Sequence, residues 1–230
     1  MRGYVNRSEL KMIAVFGSIL LPIAILCYEN KLSIGSITSF PLFLMLLLML
    51  ATRNIEIPIT SMRTRKPDIL VQHAPILEKI YSVPVSEELI TPKERVFDTK
   101  LTINFAGVII PLVAVAYLLI TGPITESLEI ALIITVITFL VSEMIDGVGI
   151  EVPDYAGIIA LPLALILSPN NADSVIFTSS ILGILAGCIA SVLTLDREKN
   201  GSAYINIGGA GIFRAVYIMV LISSLISYYT

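Results

Sequence analysis

Glycine, asparagine and proline residues interrupt long apolar runs of this sequence at four places, and these residues are the best placed to bind a ligand. The interruptions lie at 54–58, 104–111, 146–153 and 206–211. In lipid, an unpaired backbone amide or carbonyl costs several kcal/mol, so irregular backbone is expected only beside protein or a wet cavity. There its polar groups can coordinate an ion or a small solute. The predicted ligand-binding residues are Asn104, Gly107, Asp146, Gly147, Gly149, Asn206, Gly208, Gly209, Gly211 and Arg214.

Arg214 is the charged residue inside the last apolar run and lies about one helical turn into it. An arginine at the centre of a membrane-spanning helix costs roughly 2.5 to 3.5 kcal/mol on insertion scales, so such a residue usually has a partner or faces water. We expect Arg214 to pair with Asp146, and otherwise with Glu143 or Glu151. The alternative is that its side chain extends to the cytoplasmic surface.

Four carboxylates, those of Glu143, Asp146, Glu151 and Asp154, lie between the fourth and fifth apolar runs. Oxygen ligands can hold Mg²⁺ or Ca²⁺, but the ligand alternation of an EF-hand is missing, which favours a solvated turn. The single histidine, His73, has no neighbour at metal-ligand spacing. The sequence therefore predicts no metal site and no cofactor, and it lacks the histidine that serine, cysteine and zinc hydrolases need.

The composition places these residues in a membrane protein. Of 230 residues, 56% are hydrophobic and 14% are charged, which is far from the composition of a soluble globular domain. Seven apolar runs approach the length of about 20 residues that crosses a bilayer. They cover 12–28, 37–51, 102–120, 126–145, 153–168, 174–195 and 207–228. We expect an all-α polytopic fold of seven transmembrane helices with broken segments, the second and fifth short enough to be tilted or re-entrant.

The basic residues predict the orientation of the chain, because cytoplasmic loops are enriched in lysine and arginine near span ends. A cytoplasmic N-terminus leaves only Lys31 in an external loop. The residues it puts on the cytoplasmic side are Arg2, Arg7, Lys11, Arg53, Arg63, Arg65, Lys66, Lys79, Lys93, Arg95, Lys100, Arg197 and Lys199. We therefore predict a multi-pass protein of the cell membrane with its N-terminus inside and its C-terminus outside.

The segment 52–101, between the second and third runs, is more polar than its surroundings and too long for a simple loop. At both of its ends apolar residues alternate with polar ones, which is the period of half-buried strands. The alternating residues are Ile55, Ile57, Ile59, Phe97, Leu101, Ile103 and Phe105. We predict a small cytoplasmic insert with short β-strands at 52–101, between two N-terminal helices at 1–51 and a five-helix bundle at 102–230.

The interrupted segments resemble motifs of an uncharacterised family of prokaryotic multi-span membrane proteins, the domain-of-unknown-function 1614 family (DUF1614). The family pattern has, in order, VNIP, VNxGGAxIP, GVGIxxP, GxxxGAD and IGGAGTFDG elements. In this sequence they correspond to residues 54–58, 103–111, 147–153, 183–189 and 207–215. The resemblance implies a multi-span membrane fold without an established activity.

Two aspartates of that family pattern are absent here. Ile189 stands where GxxxGAD has its aspartate, and Arg214 stands where the closing element has one. If the family uses those carboxylates in chemistry or ion binding, this chain lacks that version of the site. Gly183 and Gly187 are retained, and their four-residue spacing predicts a close contact between helices.

Three kinds of function remain open, with the lipid bilayer as a common partner. The first is a non-enzymatic protein that binds or transports a small solute or ion where interrupted helices meet. The second is an accessory or structural subunit of a larger membrane complex, or a homo-oligomer. The third is an intramembrane aspartyl protease in which Asp98 and Asp146 share a proton, although aspartate precedes the glycines, the reverse of the GxGD order in presenilin-like enzymes. The net charge of -3 gives no reason to expect nucleic-acid binding.

Overall fold

The computed structural model describes residues 7–65, 96–145, 149–196, 202 and 204–229. In this part of the chain the apolar runs form seven α-helices. They are α1 (Arg7–Tyr28), α2 (Ser39–Thr52), α3 (Ile110–Thr121), α4 (Ile124–Val141), α5 (Ala160–Leu167), α6 (Ala172–Leu193) and α7 (Ala210–Ile226). A turn of π-helix, Phe105–Ile109, leads into α3, and a turn of 3₁₀-helix, Pro169–Asn171, leads into α6.

Proline and glycine set several of the helix boundaries. Pro111 lies in the first turn of α3, and its missing N–H falls where the π-helical turn passes into the α-helix. Gly122 and Pro123 separate α3 from α4 through extended backbone. The expectation that the fourth run stays helical to residue 145 is wrong, because Ser142 is extended and the helix ends at Val141.

The described residues contain five strands, which form two sheets. They are β1 (Glu56–Arg65), β2 (Val96–Asn104), β3 (Glu143–Ile145), β4 (Gly149–Glu151) and β5 (Tyr204–Ile207). In the larger sheet β2 is central, antiparallel to β1 and parallel to β5. The other two strands, β3 and β4, pair with each other as an antiparallel hairpin.

The two predicted strands of the insert are therefore confirmed, but the expectation for their faces is wrong in part. Ile55, Ile57 and Ile59 are 39%, 43% and 52% exposed instead of half-buried. The larger sheet also takes its third strand, β5, from the segment before the last helix, which the sequence analysis treated as an interruption only. This strand alternates in burial, with Ile205 and Ile207 facing the core.

A buried hydroxyl network joins the larger sheet to the residue at 202. The Thr64 and Thr99 hydroxyl oxygens are 2.6 Å apart. Thr99 also donates to the Ser202 carbonyl, and the Ser202 amide donates to Thr64. Because all three residues are buried, an alternative register would leave these groups without partners, which costs about 1–3 kcal/mol for each.

Helix α6 forms the centre of the bundle and packs against α3, α4, α5 and α7. In an 18-residue window of Pro169–Leu193, 72% of the residues are buried, whereas the shares for Lys11–Tyr28 and Ile124–Val141 are 22% and 28%. Hydroxyls inside the bundle return to their own helices, as Ser180 does to the Ile176 carbonyl and Ser223 to the Met219 carbonyl. Such bonds satisfy polar groups that the surrounding apolar side chains cannot.

Among the described helices, three are long and apolar enough to cross a membrane: Lys11–Tyr28, Ile124–Val141 and Pro169–Leu193. The segments Ser39–Thr52, Phe105–Thr121 and Gly211–Ile226 are apolar but shorter. Large apolar side chains also point outward from the bundle, among them Ile120, Leu132, Leu140, Ile166 and Leu193. Exposed apolar surface of this extent is typical of contact with lipid or with another protein, so the chain is a membrane protein.

The predicted contact through Gly183 and Gly187 is confirmed. A Cβ atom on Gly183 would overlap the Ile134 side chain of α4. A Cβ on Gly187 would lie 2.6 Å from the Thr138 Cβ and 2.8 Å from the Thr135 carbonyl oxygen. The two glycines thus let α4 and α6 approach until their backbones nearly touch.

We predict that Gly187→Ala destabilises the folded protein by about 1–3 kcal/mol, because the added methyl group must displace Thr138 or separate the helices. Gly17→Ala in α1 is the matched control, since a Cβ there meets nothing within 4 Å and should stabilise by up to about 1 kcal/mol. Both variants would be compared with the wild type by SDS-induced unfolding of the purified protein in detergent. Equal stability of the two variants would contradict the packing argument.

Candidate functional site

Three of the interrupted segments meet at one end of the bundle. The end of β2 continues into the π-helical turn, and β5 leads through Gly208 and Gly209 into α7, beside β4. A Cβ on Gly107 would overlap the Gly208 carbonyl, and a Cβ on Gly149 would lie 2.7 Å from the Tyr204 carbonyl oxygen. We call this region the glycine junction; its described members are Asn104, Gly107, Gly149, Asn206, Gly208, Gly209, Gly211 and Arg214.

Backbone conformation and crowding account for several glycines of the junction. Gly149 has φ +117° and Gly208 has φ +77°, values that a residue with a Cβ rarely adopts. A Cβ on Gly209 would overlap the Asn206 side chain, and a Cβ on Gly211 would lie 2.9 Å from the Glu151 Cγ. Packing alone thus requires small residues here, and a ligand-binding role for these glycines stays a prediction.

Asn104 connects the end of α2 to the start of α3. Its side chain is buried; its Nδ2 donates to the Arg53 carbonyl, and its Oδ1 accepts from the Gly107 amide at 2.8 Å. The second bond caps the π-helical turn in the way that asparagine caps helix N-termini. Asn104 therefore has a structural role that uses both of its polar atoms.

Asn206 has one polar side-chain atom without a hydrogen-bond partner among the described residues. Its Nδ2 donates to the Glu56 Oε1 at 2.6 Å. Its Oδ1 is buried and has no hydrogen-bond partner among the described residues. A buried acceptor without a donor costs about 1–3 kcal/mol, so this oxygen would gain from a ligand that donates a hydrogen bond. Glu56 was not predicted as a site residue, although it lies within the first interruption at 54–58.

Arg214 pairs with the carboxylates of Glu151, the last residue of β4, and of Asp154, in the turn that follows. Its Nη2 lies 3.5 Å from the Glu151 Oε1, and its Nε lies 3.1 Å from the Asp154 Oδ1. The expectation of a carboxylate partner is confirmed with Glu151, and Asp154 is an additional partner. All three side chains are between 28% and 44% exposed, so these pairs contribute at most about 1 kcal/mol each.

The remaining predicted residues cannot be assigned a place in the junction. Asp146 and Gly147 lie outside the described residues. The predicted pairing of Asp146 with Arg214 and its predicted catalytic pairing with Asp98 therefore stay predictions. The backbone of Asp98 pairs with that of Arg63 between β1 and β2. In the described part of the chain no group of three or more histidine, cysteine or acidic residues is arranged to hold a metal ion.

Two cavities that the sequence analysis missed lie near the described helix ends. One has a volume of about 310 Å³ and lies between the β3–β4 hairpin and the ends of α4 and α6. The other has a volume of about 320 Å³ and is lined by Asp173 and by residues of the loops around it. A signal for the second was present, because Asp173 is the only charged residue between Asp154 and Asp196, and isolated charges in apolar sequence tend to be functional.

The sequence model of a family described as a protein of unknown function, DUF1614, matches residues 50–226. The chain belongs to this family, and the resemblance inferred from its motifs is confirmed. The matched region contains the whole glycine junction. No curated protein and no solved structure matches the chain.

We predict that Asn104→Ala lowers the free energy of unfolding by about 2 kcal/mol, since it leaves the buried Gly107 amide and the Arg53 carbonyl without partners. Asn54→Ala is the matched control: the Asn54 side chain makes no hydrogen bond to the described residues, so its loss should change stability by less than about 0.5 kcal/mol. Thermal denaturation in detergent would measure both. A neutral Asn104→Ala would show that the two hydrogen bonds do not hold the junction.

Proposed function

We propose that this member of the DUF1614 family is a non-enzymatic, multi-pass protein of the cell membrane that binds and transports a small solute or ion at the glycine junction. The observation that carries the proposal is the meeting of interrupted segments from distant parts of the chain around the unpartnered Asn206 Oδ1. Broken segments that meet beside a cavity are a common way for transporters to bind substrate.

A seven-span arrangement is supported by the directions of the helices. The loops α1–α2, α3–α4 and α5–α6 and the end of α7 all contribute to the cavity that contains Asp173. The sheet, the β3–β4 hairpin and the start of α7 come from the other ends of the same helices. Consecutive helices thus run in alternating directions, as successive membrane crossings require.

The short helices fit this arrangement with help from irregular backbone. With its π-helical turn, α3 covers the 17 residues of Phe105–Thr121, about 25 Å at 1.5 Å per residue, close to the hydrocarbon thickness of about 30 Å. The second and fifth runs, expected to be short, form helices of 14 and 8 residues. Because α5 is too short to cross alone, we infer that it enters the bilayer with the turns at 154–159.

The chemistry of the junction favours a cation or a hydrogen-bond donor as the ligand. The Asn206 Oδ1 is an acceptor, and the Glu56 carboxylate is held next to it by the Asn206 Nδ2. Arg214 lies between two carboxylates in pairs that are partly exposed and weak. Exchange of such pairs costs little, so the charges around the junction can rearrange when a ligand enters or leaves.

An accessory subunit is the second candidate, and the larger sheet favours it. Among the described strands, β1 is an edge strand of ten residues, and it exposes Ile57 and Ile59. A long edge with apolar side chains is a template for pairing with another chain. Co-purification of a partner from native membranes at a fixed stoichiometry that Ile57→Lys abolishes would favour this function.

We predict that the two ends of the chain lie on opposite sides of the membrane. Both positions are exposed, but Tyr229 follows an odd number of proposed crossings and Ser61 an even number. Tyr229→Cys should therefore react with a membrane-impermeant maleimide on intact cells, whereas Ser61→Cys should react only after permeabilisation. The wild type measures background, since Cys27 and Cys188 are both buried. Labelling of Ser61→Cys on intact cells would contradict the predicted orientation and indicate the opposite one.

We predict that Asn206→Ala lowers solute flux by about ten- to a hundredfold, the effect of one lost charge-assisted interaction with the ligand. We also predict that Arg214→Leu changes flux, because it removes the basic partner of Glu151 and Asp154 and so alters the charge beside the junction. The assay would follow uptake of radioactive sodium, rubidium and a panel of small neutral solutes into proteoliposomes. Lys31→Leu is the control. It removes a partly exposed basic residue that lies far from the junction and pairs with Glu29.

Wild-type flux of at least one solute above that of empty liposomes is the expected starting point. Flux that both junction variants leave unchanged would contradict the proposed binding site. Melting temperatures of the variants would be measured in parallel, so that a loss of flux is not confused with a loss of folded protein.

A further inference from the structure

The cavity of about 320 Å³ lies at the end of the bundle opposite the glycine junction and is polar on most of its surface. Hydroxyl and amide side chains line it, among them Ser36, Thr121, Asn170 and Asn171. They come from the loops after α1 and α5 and from the end of α3. None of the described residues that line the cavity is basic.

Asp173 is the charged group of this cavity, and one of its two oxygens is unused. The residue lies in the first turn of α6 and is 7% exposed. Its Oδ2 accepts a hydrogen bond of 2.7 Å from the Gly35 amide. Its Oδ1 makes no hydrogen bond to any described residue. The hydrogen bond to the Gly35 amide holds the α1–α2 loop to α6. It leaves the other carboxylate oxygen of Asp173 free to bind a ligand.

A carboxylate that is more than nine-tenths buried needs compensation for its lost hydration. The nearest basic residue along the chain from Gly35, Lys31, is already paired with Glu29 at 2.6 Å and does not line the cavity. A cation in the cavity would supply the missing partner.

The shape and charge of the cavity decide between classes of cation. Ca²⁺ takes about six to eight oxygen ligands, and Mg²⁺ is usually held by substrate phosphates beside one or two carboxylates, whereas this cavity supplies a single carboxylate and neutral oxygens. A bare monovalent ion fills little of 320 Å³, a volume at the lower end of the range for small-molecule sites. An ammonium group carries three N–H donors, which match the Asp173 Oδ1 and the neutral oxygens around it.

We propose that this cavity binds a small organic cation through a primary ammonium group, with Asp173 as its counter-ion and the hydroxyl and amide oxygens as further acceptors. The site is independent of the glycine junction. In the orientation predicted from the basic residues, it opens on the external side of the membrane.

The experiment measures binding of propylammonium chloride to the wild-type protein in lipid nanodiscs by isothermal titration calorimetry. We expect saturable binding at one site, and no binding of the uncharged analogue 1-propanol. Asp173→Asn should weaken the affinity by about ten- to a hundredfold, because it removes the charge. The variant keeps an oxygen that can accept from the Gly35 amide, so the loop contact is retained.

Glu126→Gln is the matched control, since Glu126 is also a first-turn acid, in α4, and does not line the cavity; its affinity should equal that of the wild type. If Asp173→Asn does not fold, Ser36→Leu tests the same site by filling the cavity from an exposed loop position, and it should abolish binding. Asn206→Ala, which alters the junction, should bind propylammonium normally even if solute flux is lost.

Three results would overturn the proposal. One is the absence of saturable propylammonium binding to the wild type. Another is equal affinity in Asp173→Asn or in Ser36→Leu. The third is Asp173-dependent binding of sodium or potassium ions without binding of propylammonium, which would make the site one for a bare monovalent ion.

Discussion

The close contact between the backbones of Gly107 and Gly208 determines how the two halves of this chain meet. On one side of it the chain passes from β2 through a capped π-helical turn into α3. On the other side it passes from β5 into α7. Since β2 and β5 are paired in parallel up to Ile103 and Ile207, both helices start from the same edge of the sheet. Any side chain at Gly107 would separate the two starts.

This constraint explains why most polar side-chain atoms of Asn104 and Asn206 form hydrogen bonds within the protein. The side chain of Asn104 is bonded at both ends, and the Nδ2 of Asn206 is bonded to Glu56. The glycines that permit the contact have no side chains, so buried backbone N–H and C=O groups beside them need hydrogen bonds from neighbouring side chains or from a ligand. The Asn206 Oδ1 is a buried acceptor of the junction that has no donor in the described part of the chain, and the hydroxyl of Thr102 on the neighbouring strand is also buried without a partner there. The proposed function rests on the Asn206 oxygen.

Much of this arrangement follows from local sequence. Apolar runs predicted the helices, alternation predicted β1 and β2, and the spacing of Gly183 and Gly187 predicted the contact of α4 with α6. The convergence of the interruptions followed from the cost of unpaired backbone in lipid. Strand β5 was missed because four residues with two isoleucines do not differ in pattern from the start of an apolar helix, and its pairing with β2 is non-local. The end of α4 at Val141 depends on the partner strand β4, which no local signal announces.

The two candidate sites are joined by α7, and the packing of the bundle suggests how they are related. Its start lies in the glycine junction, with Arg214 in partly exposed pairs. Just after its end, the Ser227 hydroxyl accepts a hydrogen bond from the Ser33 amide beside the cavity of Asp173. Helix α7 is as deeply buried as α6, since Ala215, Val216, Tyr217 and Met219 have no exposed surface, and α6 is held to α4 through close glycine contacts. A shift of α7 would therefore change both sites together, and like a shift of α6 it would require the core to be repacked.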